Sequence, residues 1–252
     1  MNADELVENY NFLKEIGFTN RVIAKQTQLL CEDPETISRN YVQLSEFGMS
    51  DSYIVNDKAY LLGKNPENIS RNFVQLKEIG FTDFMITMGG DLLGKNPETL
   101  GRNIDKLKEF GFRDRDIEKR YYLLRKNPAT LGRNIDKLKE IGLGDDYFSR
   151  LWDSREFFYG KNFKGKEARK DSIIFEQSQL LMENPETLGR NIDKLKEIGF
   201  TNRDIAKQYR LLGWNPETIS RNIDKLKGLG VEYSMIAPDA QDSFLWNVMS
   251  ST

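Results

Sequence analysis

The 252-residue sequence contains no histidine and a single cysteine, Cys31. Without histidine, the chain lacks the usual general base, the commonest metal ligand and the side chain that titrates near neutral pH. A single cysteine cannot form an internal disulfide, which fits a reducing compartment. We therefore expect a non-catalytic protein without a cofactor or a bound metal, located inside the cell in the cytoplasm or nucleoid.

Long apolar stretches and a strong net charge are also lacking. No segment is long and apolar enough to span a bilayer, and the first residues, MNADELVEN, resemble neither a secretory signal nor a transit peptide. The formal net charge of −2 gives no overall attraction to a polyanion, so any such binding must come from how charges are arranged. We expect no membrane association.

What the sequence does contain is one segment repeated along the chain. The copy from Asn184 to Lys196 reads NPETLGRNIDKLK. The seven recognisable copies, numbered here as repeats 1 to 7, begin at Asn2, Asp33, Asn65, Asn96, Asn127, Asn184 and Asn215. Successive starts are 31 residues apart, except for steps of 32 after Asp33 and 57 after Asn127. A fixed period in this range is typical of solenoids.

The pattern within one repeat predicts two helices. In repeat 6, Asn184 suits an N-cap and the apolar spacing predicts a first helix over Pro185–Ile198. Gly199 is expected to end it in a left-handed conformation. Thr201 then caps a second helix, which ends near Gly213. We predict an all-α solenoid, right- or left-handed, of about eight such repeats, the eighth being a truncated copy within the 57-residue step.

Two positions of the first helix barely change between repeats. The position of Gly189 is always glycine or serine in repeats 2 to 7, which indicates a close approach of neighbouring helices. The position of Asn191 is asparagine in every repeat. We favour a buried amide that bonds the backbone of the adjacent repeat over contact with a ligand.

The predicted array occupies residues 1–230, with an irregular unit, expanded or truncated, at 144–183. Beyond it, residues 231–252 are predicted to form a C-terminal cap and tail, in which Phe244 and Trp246 cover the exposed end of the array.

The spacing of Leu181, Pro185, Leu188, Leu195 and Gly199 resembles the repeat of the mitochondrial transcription termination factor family, mTERF. The resemblance covers about residues 2–231. It implies a left-handed α-solenoid that binds double-stranded DNA, or in some cases RNA, along a basic concave groove, without catalysis and with a role in transcription. For a processed family member it would also imply an organelle matrix. The chain departs from the family in its slightly acidic charge and the absence of a visible transit peptide.

Stacked repeats place equivalent side chains in rows, and two such rows are basic. One consists of Arg39, Arg71, Arg102, Arg133, Arg190 and Arg221. The other, one helical turn further on, consists of Lys106, Lys137, Lys194 and Lys225. Rows of cations suit the phosphates of a nucleic-acid backbone. The alternative is an exposed mesh of ion pairs with neighbours such as Asp193 and Glu197.

The four residues before the paired leucines of the second helix differ in every repeat and include residues that can contact bases. The alternative is drift at solvent-facing positions. Candidates here and in the basic segment 161–170 are Arg120, Tyr121, Gln208, Arg210, Lys164, Lys166, Arg169 and Lys170. We predict nucleic-acid binding, with duplex DNA favoured over RNA. The alternative is a protein- or peptide-binding scaffold.

Overall fold

A computed structural model describes residues 3–143, 178–197, 199–228 and 230. All regular structure within these ranges is helical, which confirms the all-α prediction. The chain divides into two compact units, Met1–Ile104 and Asp105–Thr252, called here the N-terminal and C-terminal units.

Each of the seven sequence repeats begins with a helix of 13 residues in the part of the chain that the structure describes. These first helices are Ala3–Glu15, Pro34–Glu46, Pro66–Glu78, Pro97–Glu109, Pro128–Glu140, Pro185–Glu197 and Pro216–Gly228. In repeat 6 the Asn184 side-chain oxygen accepts a hydrogen bond from the Glu186 N–H at 2.8 Å, as expected of an N-cap. Leu188 and Leu195 on the apolar face are fully buried.

A glycine in the left-handed conformation ends the first helix, as predicted. Gly199 has φ +95°, and its N–H donates to the Lys196 carbonyl. The Phe200 N–H donates to the Leu195 carbonyl, which completes a Schellman motif. The helix is described over Pro185–Glu197, and the last residue of the predicted range, Ile198, lies outside the described residues.

The second helix is shorter than predicted, because it breaks into an α-helical and a 3₁₀ segment. In repeat 6 these are Asn202–Lys207 and Tyr209–Gly213, separated by Gln208 at φ −104° and ψ 28°. The predicted capping box of Thr201 and Asp204 is confirmed. The same two-part form occurs at Asn20–Lys25 with Thr27–Cys31, Asp83–Met88 with Gly90–Leu92, and Asp114–Lys119 with Tyr121–Arg125.

Repeat 2, whose step is 32 residues rather than 31, holds its extra residue in a π-helix. Its second helix consists of the α-helical turn Asp51–Tyr53, the π-helix Ile54–Lys58 and the 3₁₀ segment Ala59–Leu61. A π-turn contains one residue more than an α-turn, so the surplus is absorbed locally.

The recurring asparagine joins the two halves of repeats 1, 2, 3, 5 and 6. Asn40 is fully buried, and its Nδ2 donates to the carbonyls of Leu61, Leu62 and Lys64 at 3.2, 2.8 and 2.6 Å. This confirms a buried amide bonded to backbone. The prediction that it bonds the adjacent repeat is wrong, because the carbonyls belong to its own repeat. The Leu61 carbonyl also accepts from the Lys64 N–H at 3.0 Å. Carbonyls at the end of a helix lack intrahelical partners, so the asparagine side chain can cap them.

Repeat 5 shows how the long step is built. Asn134 donates to the carbonyls of Leu180, Leu181 and Glu183 at 3.3, 3.1 and 2.9 Å. Carbonyls within residues 178–183 thus accept from the asparagine of repeat 5 in the same way as carbonyls within Leu61–Lys64 accept from the asparagine of repeat 2. The first helix of repeat 5 also packs directly against that of repeat 6.

These contacts assign residues 178–183 to repeat 5. We interpret the 57-residue step as one repeat with an insertion, and the truncated eighth repeat stays a prediction that the described residues do not test. Residues 144–177 of the predicted irregular unit lie outside the described residues. So does the predicted C-terminal cap at 231–252.

Candidate functional site

The six arginines of the predicted row are all at the same position of their first helices, with side chains that reach solvent. Arg71 pairs with Glu98, with Nη1 and Oε1 3.1 Å apart. The backbone N–H of Glu98 and, after it, the Arg71 guanidinium hold the pKa of this carboxyl below its usual value. The other five have no ion-pair partner among the described residues. The mesh of ion pairs expected as the alternative is therefore almost absent from the arginine row of the described repeats.

Packing of the first helices sets these arginines side by side within each unit. In the N-terminal unit, the helix of repeat 2 packs against those of repeats 1 and 3, which brings Arg39 and Arg71 onto neighbouring helices. In the C-terminal unit, the helix of repeat 6 packs against those of repeats 5 and 7, so Arg190 stands between Arg133 and Arg221. Packed helices are typically about 8–10 Å apart, which gives the approximate spacing of each row.

The lysine row differs from the arginine row, because the side chains of Lys106 and Lys137 extend over the first helix of the next repeat. The Lys106 amine is 2.8 Å from where a Cβ would stand on Gly132, and the Lys137 amine is 2.7 Å from the same point on Gly189. The invariably small position therefore receives a side chain of the preceding repeat. In the N-terminal unit Gln43 takes the lysine's place and donates to the Ser70 hydroxyl at 3.0 Å.

Lys194 is the exception in the lysine row. Its amine bonds the Glu197 carboxylate at 3.0 Å, three residues along its own helix. The small residue of the following repeat is Ser220 rather than glycine. The predicted ion pair within one helix thus forms in the lysine row at Lys194, where the small residue of the following repeat is serine. Lys225, the last member of the row, lies on the first helix of repeat 7.

The variable positions of the second helices are only partly available to a ligand. Arg120 is 4% exposed, and its guanidinium donates to the Asp116 carbonyl at 3.3 Å. This burial does not support the prediction that Arg120 contacts nucleic acid. Tyr121 is half-buried, with the Arg125 guanidinium 5.0 Å from its ring centre. Gln208 is half-buried and Arg210 is exposed. Lys164, Lys166, Arg169 and Lys170 lie outside the described residues.

Several of these variable residues contact the next repeat. Tyr122 and Ser178 bring their hydroxyls to 2.8 Å across repeats 4 and 5. Lys58 of repeat 2 lies over Gly90 of repeat 3, with its Cδ 3.1 Å from where a Cβ would stand. Pairing of a large residue with a small one is therefore a third explanation of the variability, which the sequence interpretation missed. The sequence carried a signal for this pairing at Lys58 and Gly90, which occupy the same position of successive repeats.

Other features of the described residues are less suited to a site. An open pocket of about 490 Å³ lies where the first helices of repeats 2 and 3 begin, and carboxylates dominate its charged lining. That lining consists of Glu32, Asp33, Glu35, Thr36, Arg39, Gly63, Lys64, Asn65, Pro66 and Glu67. The described part of the chain holds no acidic, cysteine or histidine cluster able to ligate a metal. None of its helices combines the length and apolarity needed to cross a membrane.

No protein-family model matches the chain, and no curated protein matches it either. The resemblance to mTERF repeats accordingly stays a prediction.

Proposed function

We propose that the chain is a non-catalytic nucleic-acid-binding repeat protein whose first-helix arginines contact backbone phosphates. Duplex DNA is the favoured ligand and RNA the second. The proposal includes an mTERF-like left-handed α-solenoid that carries the nucleic acid along its inner groove and acts in transcription.

Five arginines without counter-ions in the described part of the chain support this proposal most. Carboxylates slightly outnumber cations in this sequence, 39 to 37. Arg39, Arg102, Arg133, Arg190 and Arg221 nevertheless stand without an ion pair among the described residues. A guanidinium free of carboxylates can bind phosphate through two parallel hydrogen bonds without first breaking another ion pair.

The test is a fluorescence-anisotropy titration of the full chain with duplex DNA, single-stranded DNA and RNA at two salt concentrations. The test variant replaces Arg39, Arg133, Arg190 and Arg221 with glutamine. For duplex DNA, the slope of log affinity against log salt should become shallower by about 0.9 for each phosphate that the variant no longer binds.

A matched control removes the same charge from the same class of helix. Lys77, Lys108, Lys139 and Lys196 share another exposed position near the helix C-terminus, and their replacement by glutamine changes the net charge equally. We expect this control to keep most of the affinity. Equally weakened binding by the two variants would contradict a specific arginine row, and absence of salt-sensitive binding by the unaltered chain would contradict the proposal itself.

A protein- or peptide-binding scaffold is the second candidate, and an exposed apolar pair favours it. Phe84 and Met88 of repeat 3 are 73% and 57% exposed and stand four residues apart on one helical face. Other repeats carry arginine where Phe84 stands, for example Arg21 and Arg115.

The doubly substituted chain Phe84→Arg, Met88→Lys distinguishes the two functions. A peptide selected for binding from a displayed library should lose affinity for this variant, whereas binding of duplex DNA should stay unchanged or increase. If the selected peptide binds the variant as tightly as the unaltered chain, this apolar pair is not a docking surface.

A further inference from the structure

Two lysines of the C-terminal unit lie over a glycine of the next repeat rather than against the glutamate of their own helix. Lys106 and Lys137 each have a glutamate three residues further along the helix, as Lys194 has in Glu197. Lys194 pairs with its glutamate, yet neither Lys106 nor Lys137 has an ion pair among the described residues.

The lysine that pairs with its glutamate and the two that do not differ in the small residue of the next repeat. Where this residue is Gly132 or Gly189, the lysine amine lies less than 3 Å from the place of a Cβ. A side chain there would collide with the amine. Where it is Ser220, the lysine of the preceding repeat bonds its own helix instead. Glycine in a helix interior is less favourable than alanine, so a compensating benefit at these positions is expected.

Each of these lysines lies over the residue that directly precedes an arginine of the neighbouring repeat. Gly132 directly precedes Arg133, and Gly189 directly precedes Arg190. The Lys106 amine therefore lies beside the backbone that carries Arg133, and the Lys137 amine beside the backbone that carries Arg190. Both arginines are exposed and free of ion pairs in the described part of the chain.

We propose that Lys106 with Arg133, and Lys137 with Arg190, form two phosphate-binding cation pairs, each positioned by the glycine between its members. This inference rests on the proposed nucleic-acid binding and names the part of the chain that performs it. Two like-charged pairs on packed neighbouring helices suit a polymer whose own charges recur at regular intervals, such as a phosphodiester backbone. Repeats 2 and 3 have Gln43 and Gln75 in place of the lysines and form no such pair.

The natural sequence supplies the substitution that tests this. Serine occupies the small position in repeats 2, 3 and 7, so the fold accommodates Gly132→Ser and Gly189→Ser. In the double variant we expect Lys106 and Lys137 to move onto Glu109 and Glu140. NMR of the lysine side chains would detect these ion pairs, and circular dichroism would confirm that the variant folds.

Anisotropy titrations with a fluorescein-labelled duplex give the functional outcome. The ratio of affinities at about 50 and 200 mM salt should fall by about 3.5-fold for each phosphate no longer bound, hence about 12-fold for the double variant. The reverse variant Ser220→Gly should release Lys194 from Glu197 and increase the salt dependence. Lys106→Gln with Lys137→Gln should weaken binding in the unaltered chain but not in the Gly→Ser background.

The outcomes separate this inference from the function on which it rests. If the unaltered chain binds duplex DNA and the Gly→Ser variant binds it equally well, the cation pairs are wrong and the nucleic-acid function stands. If the unaltered chain binds neither DNA nor RNA, both are overturned. Polyglutamate serves as a probe for acidic peptides, and competition as strong as that of DNA would overturn the assignment to phosphate.

Discussion

The asparagine of the first helix determines how a repeat holds together. Asn72 is fully buried and donates to the carbonyls of Leu92, Leu93 and Lys95 at 3.2, 2.9 and 2.7 Å. Because every partner is a carbonyl, the orientation of its amide is fixed by chemistry. No other side chain of this size offers two N–H donors without a charge, which accounts for asparagine in all seven repeats.

The N-cap of repeat 2 gives a prediction about pH. Asp33 accepts from the Thr36 hydroxyl and from the Thr36 N–H, both at 2.8 Å, and these bonds lower its pKa. A lowered pKa in the folded state adds stability that is present above the unfolded value of about 3.9 and lost as the pH falls through the folded value. Asp33→Asn introduces the residue with which the other six repeats begin, and this residue does not titrate.

We therefore expect the melting temperatures of the unaltered chain and Asp33→Asn to differ by a constant amount between about pH 7 and 5. Below about pH 4 the difference should shift against the unaltered chain. Glu35→Gln, a change to another exposed carboxylate of the same helical turn, serves as the control. A difference that is independent of pH down to about pH 2 would contradict this role of Asp33.

At the level of helices, the sequence predicted the first helix well and the second poorly. Asn184, Pro185 and Gly199 are local signals, and the bounds that they predict agree with the observed helix to one residue. The break at Gln208 has no evident local signal, and the carbonyls of Leu212 and Trp214 beyond it are bonded by Asn191 of the first helix. Tertiary contacts of this kind override helix propensity.

The site shows the same division. Exposure of the arginine row followed from its place opposite the apolar face. Burial of Arg120 and the position of Lys106 over Gly132 were both missed. Arg120 bonds the Asp116 carbonyl four residues earlier in its own repeat, whereas the position of Lys106 depends on a contact with the next repeat.

The long step of repeat 5 gives a prediction about an element. Asn134 bonds Leu180 and Leu181 as Asn40 bonds Leu61 and Leu62, so the ends of the insertion return to one repeat. Deletion of residues 144–169 joins Leu143 to Lys170 and restores a 31-residue step. We expect a folded, helical chain at least as stable as the original, because a shorter connection loses less entropy on closure. Thermal and urea denaturation would measure it.

Deletion of residues 178–183 is the matched contrast. It removes the carbonyls that Asn134 caps, and we expect loss of cooperative melting in the C-terminal unit. If the 144–169 deletion unfolds the chain instead, the interpretation of one repeat with an insertion is wrong.

At the scale of the whole molecule, stability should be distributed among neighbouring repeats. In such arrays each repeat is stabilised by its own packing and by its interfaces with adjacent repeats. A substitution that destabilises one repeat should therefore lower the stability of that repeat and its neighbours rather than of the whole chain.

Asn72→Leu tests this directly. It keeps the approximate volume but leaves three backbone carbonyls of repeat 3 without their donor, which we expect to cost about 2–4 kcal/mol. Hydrogen exchange should accelerate in repeats 2 and 3 and change little in repeats 6 and 7. Asn11→Leu, at an exposed position of a first helix, is the control and should change exchange nowhere by a comparable amount. Uniform acceleration along the chain would indicate one cooperative unit.

The π-helix Ile54–Lys58 carries a consequence for how such a chain tolerates errors in copying its gene. An added codon in the second helix is absorbed by one wider turn, and Leu61 and Leu62 still reach Asn40. An added codon in a first helix would rotate every later side chain by about 100° and turn the asparagine out of the core. Tandem genes of this type should therefore accumulate single-codon insertions almost entirely in the second halves of their repeats.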